Sequence, residues 1–248
     1  MNRFNDIDFS FKRLPPVHGY HNEKLVSIEE ALTPLVSQIH GLSLHMREAR
    51  NKCHFPSEHG LTHDESASIY IYTMEWGANS LYYILNEALR SENRYALKIW
   101  FPYMKLFDSA LNKLPIVKQI VWRGISRVIN AKFKKDDTFT WWSVNSCSSS
   151  IEIIKNFLGD EKDSIIFRIE AINGIKISGY TRYENEDEVI LKIGSEFRVY
   201  NDALEINGVR TIHLIQIDDI NIPSSSSSSL HIGTLNNFHI IRISFSTI

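Results

Sequence analysis

Along the first half of the chain the apolar residues return at steps of three and four. After Thr62 they fall at Ala67, Tyr70, Ile71, Met74, Leu81, Ile84, Leu85, Ala88 and Leu89, a spacing that gathers side chains on one buried helix face. Two helix starts are marked by capping boxes, Ser27-Ile28-Glu29-Glu30 and Thr62-His63-Asp64-Glu65. In each, a hydroxyl and a glutamate reciprocally satisfy free amides of the first turn. A further helix is predicted from about Arg94 to Leu111, ending before Pro115 and broken or kinked near its middle by Pro102.

From Ile120 the pattern shortens into strand-like runs: Ile120–Arg123, Thr138–Trp142, Ser164–Ala171, Ile175–Gly179, Glu188–Ile193, Glu196–Tyr200 and Thr211–Ile217. Asn173-Gly174 and Asn207-Gly208 are dipeptides favoured in tight hairpins, because both residues tolerate positive φ. A short helix is predicted at Ile151–Leu158, capped by Ser149 with Glu152 and ended by Gly159. Helices first and strands later indicate an α+β fold rather than alternating βαβ units. The hexaserine tract Ser224–Ser229 reads as a flexible linker. Beyond it, Asn237–Ile248 reads equally as one more strand or a disordered end.

Composition narrows the function more than the fold. At 248 residues the chain has room for one large domain or two small ones. A net charge of −2 argues against the basic face of a nucleic-acid binder. Nothing approaches an uninterrupted apolar run long enough to span a membrane. The opening residues, Met1 to Asp8, lack the apolar stretch of a secretory signal, so a cytoplasmic location is expected. Cys53 and Cys147 stand far apart, which fits a reducing compartment better than a disulfide framework.

Three stretches carry candidate chemistry. Val121-Trp122-Arg123-Gly124 ends a predicted strand with a planar cationic fork suited to phosphate oxygens, followed by a glycine that permits close approach of a ligand. Alone, it reads by default as a surface arginine in a turn. Trp141 to Ser150 joins an aromatic strand end to a small polar loop that opens into a helix. Its hydroxyls suit a ribose pocket, or merely a helix cap. Of the adjacent tryptophans in this strand, one should face the core and the other a cleft. Glu184-Asn185-Glu186-Asp187-Glu188 reads by default as a solvated acidic loop. It runs directly into the apolar Val189-Ile190-Leu191, however, and on an extended segment Glu186 and Glu188 would share one face. Two carboxylates aimed at one site raise each other's proton affinity and divide acid–base and electrostatic roles.

Together, in this order, the three stretches resemble the Arg–Ser–Glu pattern of arginine-specific mono-ADP-ribosyltransferases, the type of the eukaryotic ecto-enzymes and clostridial toxins. Trp122-Arg123-Gly124 is similar to the family's aromatic-Arg-Gly element. Val144-Asn145-Ser146-Cys147-Ser148 is similar to its apolar-x-Ser-Thr-Ser element, with Cys147 in place of threonine and with polar Ser143 and Asn145 where apolar packing is expected. Glu186-Asp187-Glu188 followed by an apolar strand resembles its Glu-x-Glu element, and Tyr183 stands where the family's substrate loop carries an aromatic residue. The likeness covers about residues 20–218.

The resemblance implies a helical part, residues 21–116, followed by a β-rich part, 117–221, of two packed and mainly antiparallel sheets. Residues 1–20 would then form an extension and 222–248 a linker and tail. It implies an enzyme that transfers ADP-ribose from NAD, or NADP, to arginine side chains of an acceptor protein and releases nicotinamide. NAD would be a co-substrate held by Arg123, Gly124, Trp142, Ser146, Ser148 and Glu188, with Arg123 on its diphosphate or adjacent ribose. Ser146 would position the nicotinamide ribose and Glu188. Glu188 would stabilise the sugar cation, while Glu186 and Tyr183 would receive the incoming guanidinium. Hydrolysis of NAD, or an inactive NAD-binding interaction module, are the alternatives. No metal is expected, since the ten histidines show neither H-E-x-x-H nor C-x-x-C spacing. Neither G-x-G-x-x-G nor a P-loop occurs. Trp76 and Trp100 are expected in the core.

Overall fold

The computed structural model describes residues 3–7, 13–125, 133–159, 164–206 and 209–217. The described residues all fall within one compact unit, Met1–Asp218. The Asn207-Gly208 turn, the hexaserine tract and Asn237–Ile248 lie outside the described residues. Six α-helices are described: α1 (Ile28–Leu32), α2 (Leu42–Lys52), α3 (His63–Thr73), α4 (Leu81–Arg90), α5 (Phe101–Leu111) and α6 (Ile151–Leu158). Seven strands are described: β1 (Ile116–Ile125), β2 (Thr138–Trp141), β3 (Asn145–Ser148), β4 (Ile165–Lys176), β5 (Glu188–Leu191), β6 (Ser195–Ile206) and β7 (Val209–Ile217). None of the described helices is long and apolar enough to cross a membrane.

Both capping boxes form at the starts of α1 and α3. The apolar run after Thr62 makes two helices rather than one, because Gly77, at φ +83°, turns the chain between α3 and α4. Trp76 sits in that turn, partly buried and stacked on His45 with ring centroids 4.2 Å apart. Pro102 starts α5 instead of kinking a longer helix. Proline fits the first turn, where its missing amide would have had no partner. Residues Arg94–Trp100 before it form a 3-10 helix that buries Trp100.

The sheet is mainly antiparallel and is hydrogen-bonded in the order β1-β3-β5-β4-β7-β6-β2, with β1 also pairing β4. β4 is its hub, lying against β1 along most of its length, parallel to β7 at Ile165–Glu170, and against β5 at Ile175 and Lys176. Where two packed sheets are expected, one network therefore closes on itself through β4. The Asn173-Gly174 dipeptide makes no hairpin, since β4 continues through it with a shift of register against β1 between Val117 and Gln119. Gly174 serves packing: a Cβ there would stand 2.7 Å from Val189 Cγ1 on β5.

The largest core joins α1, α3, α4 and α5 to Val144, Ile175 and Ile190, while a second gathers Val121, Trp141, Cys147, Phe167, Val189 and Leu191. Neighbouring residues of β5 thus point to opposite faces, as strand geometry requires. Ile190, and with it Glu188, faces the helical layer.

Candidate active site

Ser146 and Ser148 belong to a buried strand, β3, that spacing alone presents as a loop. β3 is entirely buried and pairs with β5, Ser148 opposite Glu188 and Ser146 opposite Ile190. Its short polar residues reveal no alternation of apolar and polar positions, the signal by which a strand is read. Ser143 and Asn145 satisfy each other: the Asn145 amide donates to the Ser143 carbonyl at 2.8 Å. Asn86 on α4 ties the strand to the helical layer through both the amide and the carbonyl of Val144. Cys147 is free and buried, and burial pushes its thiol up to about 12.

The acidic stretch is not extended. Glu184–Glu186 is a 3-10 turn, and Asp187 takes a left-handed conformation, φ 47° and ψ 47°. That single residue turns the chain into β5, so Glu186 and Glu188 converge by a local twist rather than by strand alternation. Ser148 holds the turn, its Oγ donating to the Glu186 carbonyl at 2.8 Å. The Arg182 amide pins the near side of the loop to Thr73 Oγ1, at the end of α3, at 2.7 Å. Ser149 and Glu152 make no cap on α6, whose N-cap is Ser150 without a side-chain bond. The Ser149 amide instead donates to the Asp187 carbonyl at 3.1 Å.

The two acids share one partner, Arg3. Its Nε donates to both Glu188 oxygens at 3.0 Å, and its Nη2 bonds Glu186 and, at 2.8 Å, Glu188 Oε2. Its Nη1 donates to the Thr73 carbonyl and to Glu75 Oε1, each at 3.2 Å. The guanidinium also lies over the Tyr183 ring, 5.3 Å from the centroid. Glu188 is fully buried and Glu186 is 9% exposed. Burial pushes the Glu186 carboxyl up to about 7; Arg3 opposes the shift, while Glu188 and Glu75 add to it. Around Arg3, burial works against the charge, but the three glutamates outweigh it and hold the guanidinium protonated.

Arg123 lies deep beside this cluster, fully buried under Trp141 with its guanidinium 5.7 Å from the ring centroid. Burial lowers its proton affinity, though arginine keeps its charge throughout. Nη1 donates to the Ser146 carbonyl at 2.8 Å, and Nη2 to the carbonyls of Arg3 and Asp6. Its Nε has no hydrogen-bond partner among the described residues. Ser146 Oγ lies 3.5 Å from the Tyr72 hydroxyl of α3.

Two expected ligand contacts go elsewhere. Gly124 makes room for α6, since a Cβ there would stand 2.6 Å from Ile154 Cγ2 and 2.9 Å from Leu158 Cδ1. Trp142 faces Arg94, 5.5 Å from its ring centroid, so Trp141 and not Trp142 covers the arginine. The remaining expected residues, Arg123, Ser146, Ser148, Tyr183, Glu186 and Glu188, come together. Spacing offered no sign of Arg3, Asp6, Glu75 or Tyr72. Arg3, Phe4, Asp6 and Ile7, from the stretch expected to form an N-terminal extension, are buried, and no periodicity marks so short a segment.

Comparison with known proteins points one way. The family model described as ART, NAD:arginine ADP-ribosyltransferase, matches residues 25–220. No curated protein sequence matched. Among solved structures, the ADP-ribosyltransferase Vis from Vibrio splendidus, one crystal of which contains agmatine, is 17% identical, covers 84% of this chain and 94% of its own, and superposes with a TM-score of 0.52. The ADP-ribosyltransferase HopU1 of Pseudomonas syringae is 21% identical, with coverage of 77% and 88% and a TM-score of 0.52. The eucaryotic mono-ADP-ribosyltransferase ART2.2 is 14% identical, with coverage of 77% and 83% and a TM-score of 0.56.

Proposed function

The chain belongs to the NAD:arginine ADP-ribosyltransferase family, and we propose on that premise that it transfers ADP-ribose from NAD to arginine side chains of protein acceptors, releasing nicotinamide. The observation that supports arginine as the acceptor is a guanidinium held between Glu186 and Glu188 and laid over Tyr183. Glu186 and Tyr183, the two groups that the family likeness assigns to an incoming arginine, both lie against Arg3, with Glu188 beside them.

The site suits NAD in its donor set. A buried arginine nitrogen without a partner, Nε of Arg123, is a ready donor for a phosphate or ribose oxygen. Arg123 and Ser146 would hold the dinucleotide, and Glu188 a ribose hydroxyl. NAD supplies a sugar carbon bonded to a cationic pyridinium leaving group, and cleavage of that bond builds positive charge on the sugar. Glu188, fixed in a strand and shielded from water, places a carboxylate where that charge develops, and preorganised groups of this kind are worth roughly 3–4 kcal/mol of barrier. Glu186 takes the proton from the acceptor guanidinium. A carboxyl pushed up to about 7 suits that task near neutral pH, because a base works best near its own pKa. Tyr183 keeps the guanidinium plane in place through its ring face.

Purified protein incubated with labelled NAD, with and without agmatine, tests this. ADP-ribosyl-agmatine should form together with nicotinamide. Nicotinamide release unaccompanied by any agmatine product would make the protein a hydrolase, and intact NAD throughout would refute the activity.

A further inference from the structure

We propose that the segment Arg3–Ile7 is a pseudosubstrate held in cis: Arg3 fills the acceptor site for an arginine-bearing peptide, and the same segment ties up the groups that would hold the donor. The proposal rests on the acceptor and donor roles given above to Glu186, Glu188 and Arg123.

The segment is anchored, and its anchors aim Arg3. Phe4 is 1% exposed and packs with Ile154, Leu158 and Ile166, its ring 5.2 Å from that of Phe157. The Asp6 carboxylate takes Arg90 at 2.8 Å and the Asn86 amide at 2.9 Å. Ile7 joins the core beneath the sheet. With these three residues seated, the Arg3 side chain reaches the acid cluster with all of its guanidinium nitrogens donating.

The surroundings of Arg3 define a ligand. One cation meets three carboxylates, so the cluster left empty would leave buried carboxyl groups without a cation and would favour another guanidinium. Glu75 goes further, because Oε1 also accepts from the Arg3 main-chain amide at 3.3 Å. It reads a guanidinium and the backbone of the same residue, which marks arginine within a peptide rather than a free guanidine. The buried position of Phe4 adds a preference for an aromatic or bulky apolar residue immediately after that arginine.

Occupancy of the acceptor site closes the donor site as well. Both Glu188 oxygens are engaged by Arg3, and Arg123 Nη2 is spent on the carbonyls of Arg3 and Asp6. Ligands therefore bind only the fraction of molecules in which the segment has left, and their apparent affinity falls in proportion. Departure of the segment withdraws Arg3 from Glu188 and the Arg3 and Asp6 carbonyls from Arg123 in one event.

The test compares the full chain with Arg3→Ala, and with Asp6→Asn, which weakens the anchor without touching the acid cluster. Agmatine and NAD affinities are measured separately by tryptophan fluorescence, and amide exchange is followed over residues 3–7. Arg3→Ala should bind both ligands at least about tenfold more tightly, Asp6→Asn should shift both the same way by less, and agmatine should speed exchange in the unaltered segment. Agmatine affinity within about twofold of the parent in a folded Arg3→Ala protein would overturn the proposal. If that variant does not fold, the same criterion applied to Asp6→Asn decides. A gain for agmatine alone, with NAD bound by no form, would support the acceptor-site occupancy and refute the donor reading instead.

Discussion

Helix α3 has a buried glutamate at its start and meets a cluster of them at its end, and the two behave oppositely. Glu65 is 1% exposed, yet its carboxyl is held below its ordinary value. Burial opposes that, but Lys113 at 2.6 Å, Ser109 at 2.7 Å and the Thr62 amide at 2.8 Å outweigh it. Glu186, hardly more exposed, is pushed up to about 7 by burial, with Glu188 and Glu75 adding to the shift and Arg3, the cation it shares with them, too little to reverse it. Burial alone therefore decides nothing. A carboxylate with a full set of private partners is structural, while one that competes for a shared partner is poised to exchange it.

The largest contrast is expected from the isosteric change to glutamine at each place. Glu188→Gln should lower nicotinamide release by about a hundredfold or more with the fold intact, as for other preorganised electrostatic groups. Near-normal release from the folded variant would remove Glu188 from the mechanism. Glu65→Gln should do the reverse, costing about 2 kcal/mol of stability through the capping box and the Lys113 pair while leaving turnover per folded molecule unchanged. Urea unfolding beside kinetics at equal folded concentration separates the two.

The opposite shifts also set opposite pH dependences. Glu65, lowered in the fold, contributes stability above its ordinary value of 4.5 and loses it as pH falls through its folded value. Glu186, raised in the fold, contributes below 4.5 and loses that contribution as pH rises through about 7. Urea midpoints between pH 4 and 8 should thus show Glu186→Gln gaining on the parent toward neutrality and Glu65→Gln losing to it. Parallel curves would show that neither carboxyl is shifted. A smaller effect is expected from Trp142→Leu, which should change NAD affinity by no more than about twofold, since its ring lies against Arg94.

The start of α3 was legible in the sequence because a capping box is local: Thr62 and Glu65 complete each other within one turn. The end of α3 was legible only in part. Glu186 and Glu188 announced themselves as acids running into an apolar strand, but their convergence depends on the left-handed Asp187, and no alternation rule contains it. β3 was hidden by its short polar side chains. Asn173-Gly174 looked like a turn because the dipeptide permits one; contact with Val189 makes the glycine necessary for a different reason. Gly124 repeats that lesson against α6. Arg3 was least visible of all, since its meaning lies wholly in partners 70 to 185 residues away.

The most direct test of the division between the two acids is Glu186→Gln assayed for both products in one preparation. Agmatine modification and nicotinamide release are counted together from labelled NAD, so their ratio is independent of enzyme concentration. A guanidinium keeps its proton near neutral pH and is a poor nucleophile until a base relieves it, whereas water needs little such help to capture the sugar. Transfer should therefore fall at least about tenfold more than release. Equal loss of both products would contradict the account by showing that Glu186 and Glu188 act as one unit.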